Sequence, residues 1–136
     1  HLSIRRQRQM CIRDRVMVKD NHVELSSAAE AYARVREFLG EDATTWVEVE
    51  VDTLDQLSDL LAEGKAHPPQ VLLDNFTVED TRKAVELRDQ LAPQVLLESS
   101  GGLTLDVAGD YAAAGVESVA VGGLTHSVQA LDIGLD

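Results

Sequence analysis

At 136 residues, with 44% hydrophobic and 26% charged positions, the chain has the size and composition to bury one domain core. Its formal net charge of −12 argues against nucleic acid or an anionic membrane as the main partner. No apolar run approaches the roughly 18 residues of a membrane span. Cys11 is the only cysteine, so no intrachain disulfide can form, which fits a reducing compartment.

Charge is unevenly spread. Residues 1–15 hold five arginines against the single acid Asp14, a net of +4, so the remainder carries −16. The chain begins at His1, which reads as a fragment or a processed product. The basic arm has three readings: a transit peptide, a nucleic-acid arm, or non-native sequence, since "RRQRQMCIRD" resembles translated sequencing-adapter read-through. The third is the expectation adopted for residues 1–13, which should then make few contacts with the body. Residues 14–136 form the domain.

Val16 to Val18 is a short apolar run closed by the polar "KDNH", and predicts a buried strand whose functional end is Lys19. In "SSAAEAYARVREFLG", Ser27 and Glu30 have capping-box spacing. Ala28, Ala31, Tyr32, Val35, Phe38 and Leu39 define one helical face, and Gly40 stops the helix. Residues 45–51, "TWVEVEV", alternate with period two and predict a strand. A helix follows Asp52, striped by Leu54, Leu57, Leu60 and Leu61. "VLLDN" (71–75) is a third strand, and Thr77 with Asp80 caps the helix that runs to about Leu91. Pro93 breaks it, "VLLE" (95–98) is a fourth strand, and Thr104 opens a helix ending near Gly115. "VESVAVGG" (116–123) is a fifth strand ending in a glycine pair.

The order βαβαβαβαβ, with apolar strands suited to burial on both faces, gives an α/β fold with parallel strands. A doubly wound open sheet and part of an α/β barrel are both compatible with the repeat spacing. Either way, chemistry gathers at the carboxyl ends of the strands. Those ends read Lys19, Glu50, Asp74, the run Glu98-Ser99-Ser100-Gly101-Gly102, and Gly122-Gly123.

Each has a plain alternative. Lys19 suits a solvated loop, Asp74 suits a turn or cap, and one of Glu48 and Glu50 is expected to face solvent. A glycine pair after a strand is often only a tight turn. Two such turns on successive strands, the first followed by a helix N-terminus, favour a cradle of N–H groups for a phosphate. The two turns are expected to lie side by side.

The stretches "VKDNH", "VEVEVDTLDQL", "LLDNF", "LESSGGLTL" and "VAVGGLTHSVQALDIGLD" together closely resemble the C-terminal catalytic domain of the quinolinate phosphoribosyltransferase family, in family order from about residue 14 to residue 136. The resemblance implies a partial (incomplete) α/β barrel with parallel strands, type II phosphoribosyltransferase-like, in a cytoplasmic homodimer or higher homo-oligomer. The implied reaction joins quinolinate and phosphoribosyl pyrophosphate, giving nicotinate mononucleotide, pyrophosphate and CO2 in NAD biosynthesis, with Mg2+ assisting pyrophosphate departure. By the same resemblance Lys19 contacts the quinolinate carboxylate. Glu50 and Asp74 lie near the ribose hydroxyls and the waters of Mg2+. Ser100, Gly101, Gly102, Gly122, Gly123 and His126 hold the 5′-phosphate.

The family's further arginines, lysine and His-Arg pair lie in segments preceding "KDNH", and Arg13 and Arg15 match none of them. The isolated chain is therefore expected to be inactive. The alternatives are a non-catalytic phosphate-binding fragment and another phosphate-binding barrel enzyme.

Overall fold

The computed structural model describes residues 15–19, 27–40, 45–62, 64 and 66–122, in which strands and helices alternate. The strands are β1 (Arg15–Val18), β2 (Trp46–Val51), β3 (Gln70–Asp74), β4 (Leu96–Ser100) and β5 (Ser118–Val119). The helices between them are α1 (Ala28–Leu39), α2 (Leu54–Leu60), α3 (Val78–Leu91) and α4 (Leu105–Ala114). The basic arm, with Ile4, Met10 and Ile12 on which its packing turns, lies outside the described residues.

Local chemistry sets the helix starts. The side chains of Ser27, Thr53 and Thr77 each accept a hydrogen bond from the backbone N–H three residues on, at 3.3, 3.2 and 3.1 Å. These bonds satisfy donors that the first helical turn leaves without a partner. α1 ends at Gly40 and α4 at Gly115.

The sheet order is β1-β2-β3-β4-β5, with every neighbouring pair parallel. A doubly wound sheet reverses direction at a switch point; this one never does. Each crossover steps the same way, which places the helices on one face, as on the outside of an α/β barrel. The five strands form an open arc of such a barrel.

Period-two alternation divides the sheet into two faces. On the helix side Val47, Val49, Val51, Val71, Leu73 and Leu97 are fully buried with Leu57, Leu60 and Ala84 of the helices. The inner face mixes apolar residues such as Leu72 and Met17 with a polar network. Trp46 Nε1 donates to Gln70 Oε1 (3.3 Å), Gln70 Nε2 donates to Glu98 Oε2 (2.7 Å), and Ser118 Oγ donates to the same oxygen (2.8 Å). This chain of bonds crosses four strands.

Three expectations are corrected. Glu48 and Glu50 do not split between core and solvent: two residues apart on a strand, they share the inner face, and Glu48 is only 3% exposed. Phe38 is 90% exposed. It follows Val35 by three residues, so it sits roughly 60° further round the helix, and the last turn carries it past the sheet. The strand ends also move. β4 runs on through Ser100, whereas β5 is only Ser118–Val119.

Candidate functional site at the carboxyl edge

The parallel ladder brings the carboxyl ends together. Val18 pairs with Val49, so the next step sets the exposed Lys19 opposite Glu50. Glu50 pairs with Leu72 and Asp74 with Ser100. Carboxylate oxygens of Glu50, Asp52 and Asp74 all lie within 4.8 Å of one another. Three like charges this close repel, and a divalent cation or an electron-poor substrate centre would relieve that repulsion.

Asp74 is held by its neighbours. Ser100 Oγ donates to its Oδ1 at 2.9 Å, and Asn75 Nδ2 donates to its Oδ2 at 2.7 Å. The acid is thereby tied to the strand that carries the glycine turn. Asn75 N–H also donates to the Ser100 carbonyl at 3.1 Å, and Asn75 adopts a φ of 55°.

The two glycines of the turn have different surroundings. Gly101 has a φ of 100°, and a Cβ there would fall 2.6 Å from Asn75 N and 2.8 Å from Asn75 Cα. Its missing side chain admits the backbone of the β3 turn. Gly102, at φ 62°, would direct a Cβ into open space. Main chain is therefore bare at Gly102, just before Thr104, the N-cap of α4, which makes no side-chain cap bond. Ala120 N–H donates to Ser99 O at 2.8 Å, so Gly122 leaves β5 at the same edge at which Gly102 leaves β4. Gly123 and His126 lie outside the described residues. Beside the acids, Asp52, Thr53, Leu54, Asn75, Phe76 and Asp80 line a cleft of about 260 Å3.

Sequence reasoning missed Asp52, taken only as the residue before a helix. The signal was present: Glu48, Glu50 and Asp52 follow one another at period two. It also missed Asn75, whose role depends on a left-handed backbone and on contact with another strand.

The amino edge is arranged differently. Arg88, 6% exposed, donates through Nη1 to Val95 O (2.9 Å) and Glu117 Oε1 (2.8 Å), and through Nε to Asp89 Oδ1 (2.6 Å). Glu117 Oε2 accepts from Leu97 N–H at 2.7 Å. Burial alone would lower the Arg88 pKa, but hydrogen bonds to Glu117 and Asp89, with their charges, outweigh it and raise it. Nearby, Tyr32 donates to His67 O at 3.0 Å, and burial pushes its phenol up against the smaller opposing pull of Arg36.

A one-directional parallel sheet with helices on its outer face and polar groups at its carboxyl edge defines the α/β-barrel class. Within that class, residues 5–136 match the family described as quinolinate phosphoribosyl transferase, C-terminal domain. The Mycobacterium leprae protein named nicotinate-nucleotide pyrophosphorylase (carboxylating) is 52% identical over 124 residues, covering 90% of this chain and 42% of that protein. The solved nicotinate-nucleotide pyrophosphorylase of Francisella tularensis superposes with a TM-score of 0.70 at 31% identity, over 89% of this chain and 40% of the other. That of Ehrlichia chaffeensis gives 0.72 at 30% identity, over 91% and 42%. The chain belongs to the quinolinate phosphoribosyltransferase family, in its C-terminal domain, and spans about two-fifths of the length of these relatives. Among the described residues, no helix is long and apolar enough to cross a membrane.

Proposed function

We propose that this chain supplies the phosphoribosyl half of a cytoplasmic quinolinate phosphoribosyltransferase site, working in a homodimer or higher homo-oligomer. The site would join quinolinate to phosphoribosyl pyrophosphate, releasing pyrophosphate and CO2 to leave nicotinate mononucleotide. The observation that carries this reading is the meeting of the Glu50, Asp52 and Asp74 carboxylates beside the glycine turn to which Asp74 is bonded through Ser100. A ribosyl carbon gains positive charge as pyrophosphate leaves, and fixed carboxylates stabilise that charge. Main-chain N–H groups at Gly102 and Gly122, with the main chain of Ser100, Gly101 and Gly123 and with His126 completing the cradle, would anchor the 5′-phosphate. Lys19 would take a quinolinate carboxylate.

The same acids fit Mg2+. Oxygens within 4.8 Å of one another can share an ion directly or through the water shell that Mg2+ keeps. When bound, the ion would neutralise charge developing on the pyrophosphate. Quinolinate and phosphoribosyl pyrophosphate are both strongly anionic, and Lys19 is the one family cation matched here. The 136-residue chain alone is therefore proposed to be inactive, its further cations coming from the family segments that precede "KDNH".

The test is a chimera in which residues 14–136 replace the corresponding part of the Mycobacterium leprae relative. With saturating Mg2+ and both substrates it should form nicotinate mononucleotide, while the isolated chain should not. In the chimera, Asp74→Ala should slow turnover by about 100-fold or more, the scale of removing one charge-stabilising group. Lys19→Ala should chiefly raise KM for quinolinate. An inactive but folded chimera would overturn the reading, and turnover by the isolated chain would overturn the dependence on further cations.

A further inference from the structure

The geometry points to Asn75 as a positioning residue that, with the Ser100 hydroxyl, aims the Asp74 carboxylate at the ribose and locks it to the phosphate turn. This rests on the phosphoribosyl reading above. A carboxylate torsion is broad and roughly two-fold, so an aspartate at a strand end turns freely unless both oxygens are held. Here both are: Oδ1 by Ser100 Oγ at 2.9 Å and Oδ2 by Asn75 Nδ2 at 2.7 Å. Each oxygen retains a further lone pair for a ribose hydroxyl.

The backbone is built around that bond. Asn75 has a φ of 55°, a left-handed conformation that asparagine tolerates better than other side-chain-bearing residues. Its N–H reaches the Ser100 carbonyl at 3.1 Å, and Gly101 lacks the Cβ that would collide with it. The β3 and β4 turns are therefore fastened at three points: Asp74 to Ser100 by side chains, Asn75 to Ser100 by main chain, and Asn75 to Gly101 by close packing.

A chemical consequence follows for Ser100. A hydroxyl has one proton to donate, and that proton goes to Asp74. A phosphate, itself an acceptor, is left to the main-chain N–H groups of the turn. Asn75 and Ser100 thus serve the ribose side of the site, while the bare main chain at Gly102 serves the phosphate.

The test separates those two sides. Ribose 5-phosphate and inorganic phosphate are each titrated into the 136-residue chain and followed by amide NMR shifts, for the wild type, Asn75→Gly and Asn75→Asp. Glycine accepts the φ of 55° and removes the amide with its methylene, and the inorganic phosphate titration reads any loosening of the turn. Aspartate keeps the shape and sets a second carboxylate against Asp74. The wild type should prefer ribose 5-phosphate. Asn75→Gly should weaken ribose 5-phosphate by about tenfold, the scale of one hydrogen bond to a charged group, and leave inorganic phosphate within about twofold. Asn75→Asp should weaken ribose 5-phosphate further. Equal losses for both probes in Asn75→Gly would mean that Asn75 merely holds the turn, and would overturn the inference. Unchanged ribose 5-phosphate affinity, or a wild type with no preference between the probes, would also overturn it and leave the phosphate reading standing. A wild type that binds neither probe would take down the phosphoribosyl reading together with the inference.

Discussion

The two edges of the sheet treat charge in opposite ways. At the amino edge, Arg88 is buried against Glu117, Asp89 and a backbone carbonyl, so opposite charges and hydrogen bonds answer one another. At the carboxyl edge, three carboxylates crowd within 4.8 Å. The first arrangement joins α3 to β4 and β5 and contributes stability. The second also has its partners, Ser100 and Asn75 on Asp74 and others on Glu50 and Asp52, but it brings three like charges together, and folds keep such arrangements where a ligand relieves the repulsion. One sheet thus separates a structural edge from a working edge.

The largest expected effect lies at the amino edge. Arg88→Met removes the charged partner of Glu117 and a donor to Val95 O, and should lower stability by roughly 3–5 kcal/mol. The lower half of that range is favoured because the Glu117 side chain is 38% exposed and water can replace its partner. Urea unfolding measures the loss, and ribose 5-phosphate binding by the folded fraction should be unchanged. A loss below about 0.5 kcal/mol would show the cluster to be a surface pair of little consequence.

At the working edge, Gly101→Ala should cost about 1–3 kcal/mol from its left-handed backbone alone. The clash with Asn75 backbone adds to this, because main chain cannot move aside as a flexible side chain can. The same substitution at Gly102, where a Cβ meets open space, should cost less. Equal thermal shifts for the two alanines would break the claim that Gly101 is required by the neighbouring strand.

A smaller, pH-dependent effect belongs to the cap of α3. Thr77 accepts from Asp80 N–H and donates to the Asp80 carboxylate at 2.8 Å. That hydrogen bond, aided by Lys83, lowers the Asp80 pKa below its ordinary value. A lowered carboxylate pKa stabilises the fold above the unfolded-state pKa, and the benefit is lost as pH falls through the folded value. Thr77→Val should cost about 1 kcal/mol through the lost cap of α3, and the gap to wild type should narrow in acid, where the Thr77 bond to the Asp80 carboxylate is lost in wild type too. A gap that widens in acid would reverse the assigned sign.

Much of this was legible in the sequence because it is local. Capping residues at 27 and 77 and period-two runs such as "WVEVEV" carry their structure in a few neighbouring positions. Glu50 and Asp74 could be placed at strand ends for the same reason. Strand order could not, since equal repeat spacing serves a reversing sheet and a one-way arc alike. Glu48 misled because an acid on a strand reads as solvent-facing, whereas a barrel covers both faces of its sheet. The fastening of Asn75 to Ser100 and Gly101 joins positions 25 and 26 residues apart, and only the register of β3 on β4 brings them together.

The smallest expected effect is the most discriminating, because its sign differs from all the others. Asp52→Asn keeps the size and one acceptor oxygen but removes one of the three crowded charges. Two unit charges about 5 Å apart repel by about 1 kcal/mol in water-like surroundings, and Asp52 is exposed. Without divalent cations the variant should therefore be more stable than wild type by about 0.5–1 kcal/mol, less at high salt. Added Mg2+ should reverse the order, since a ligand stabilises the form that binds it in proportion to RT ln(1 + [L]/Kd). Removing a charge would then destabilise one edge and stabilise the other. Thermal unfolding with EDTA and with Mg2+ measures both halves. If Asp52→Asn is the less stable protein in EDTA, the carboxyl edge is not under electrostatic stress, and the contrast between the two edges fails.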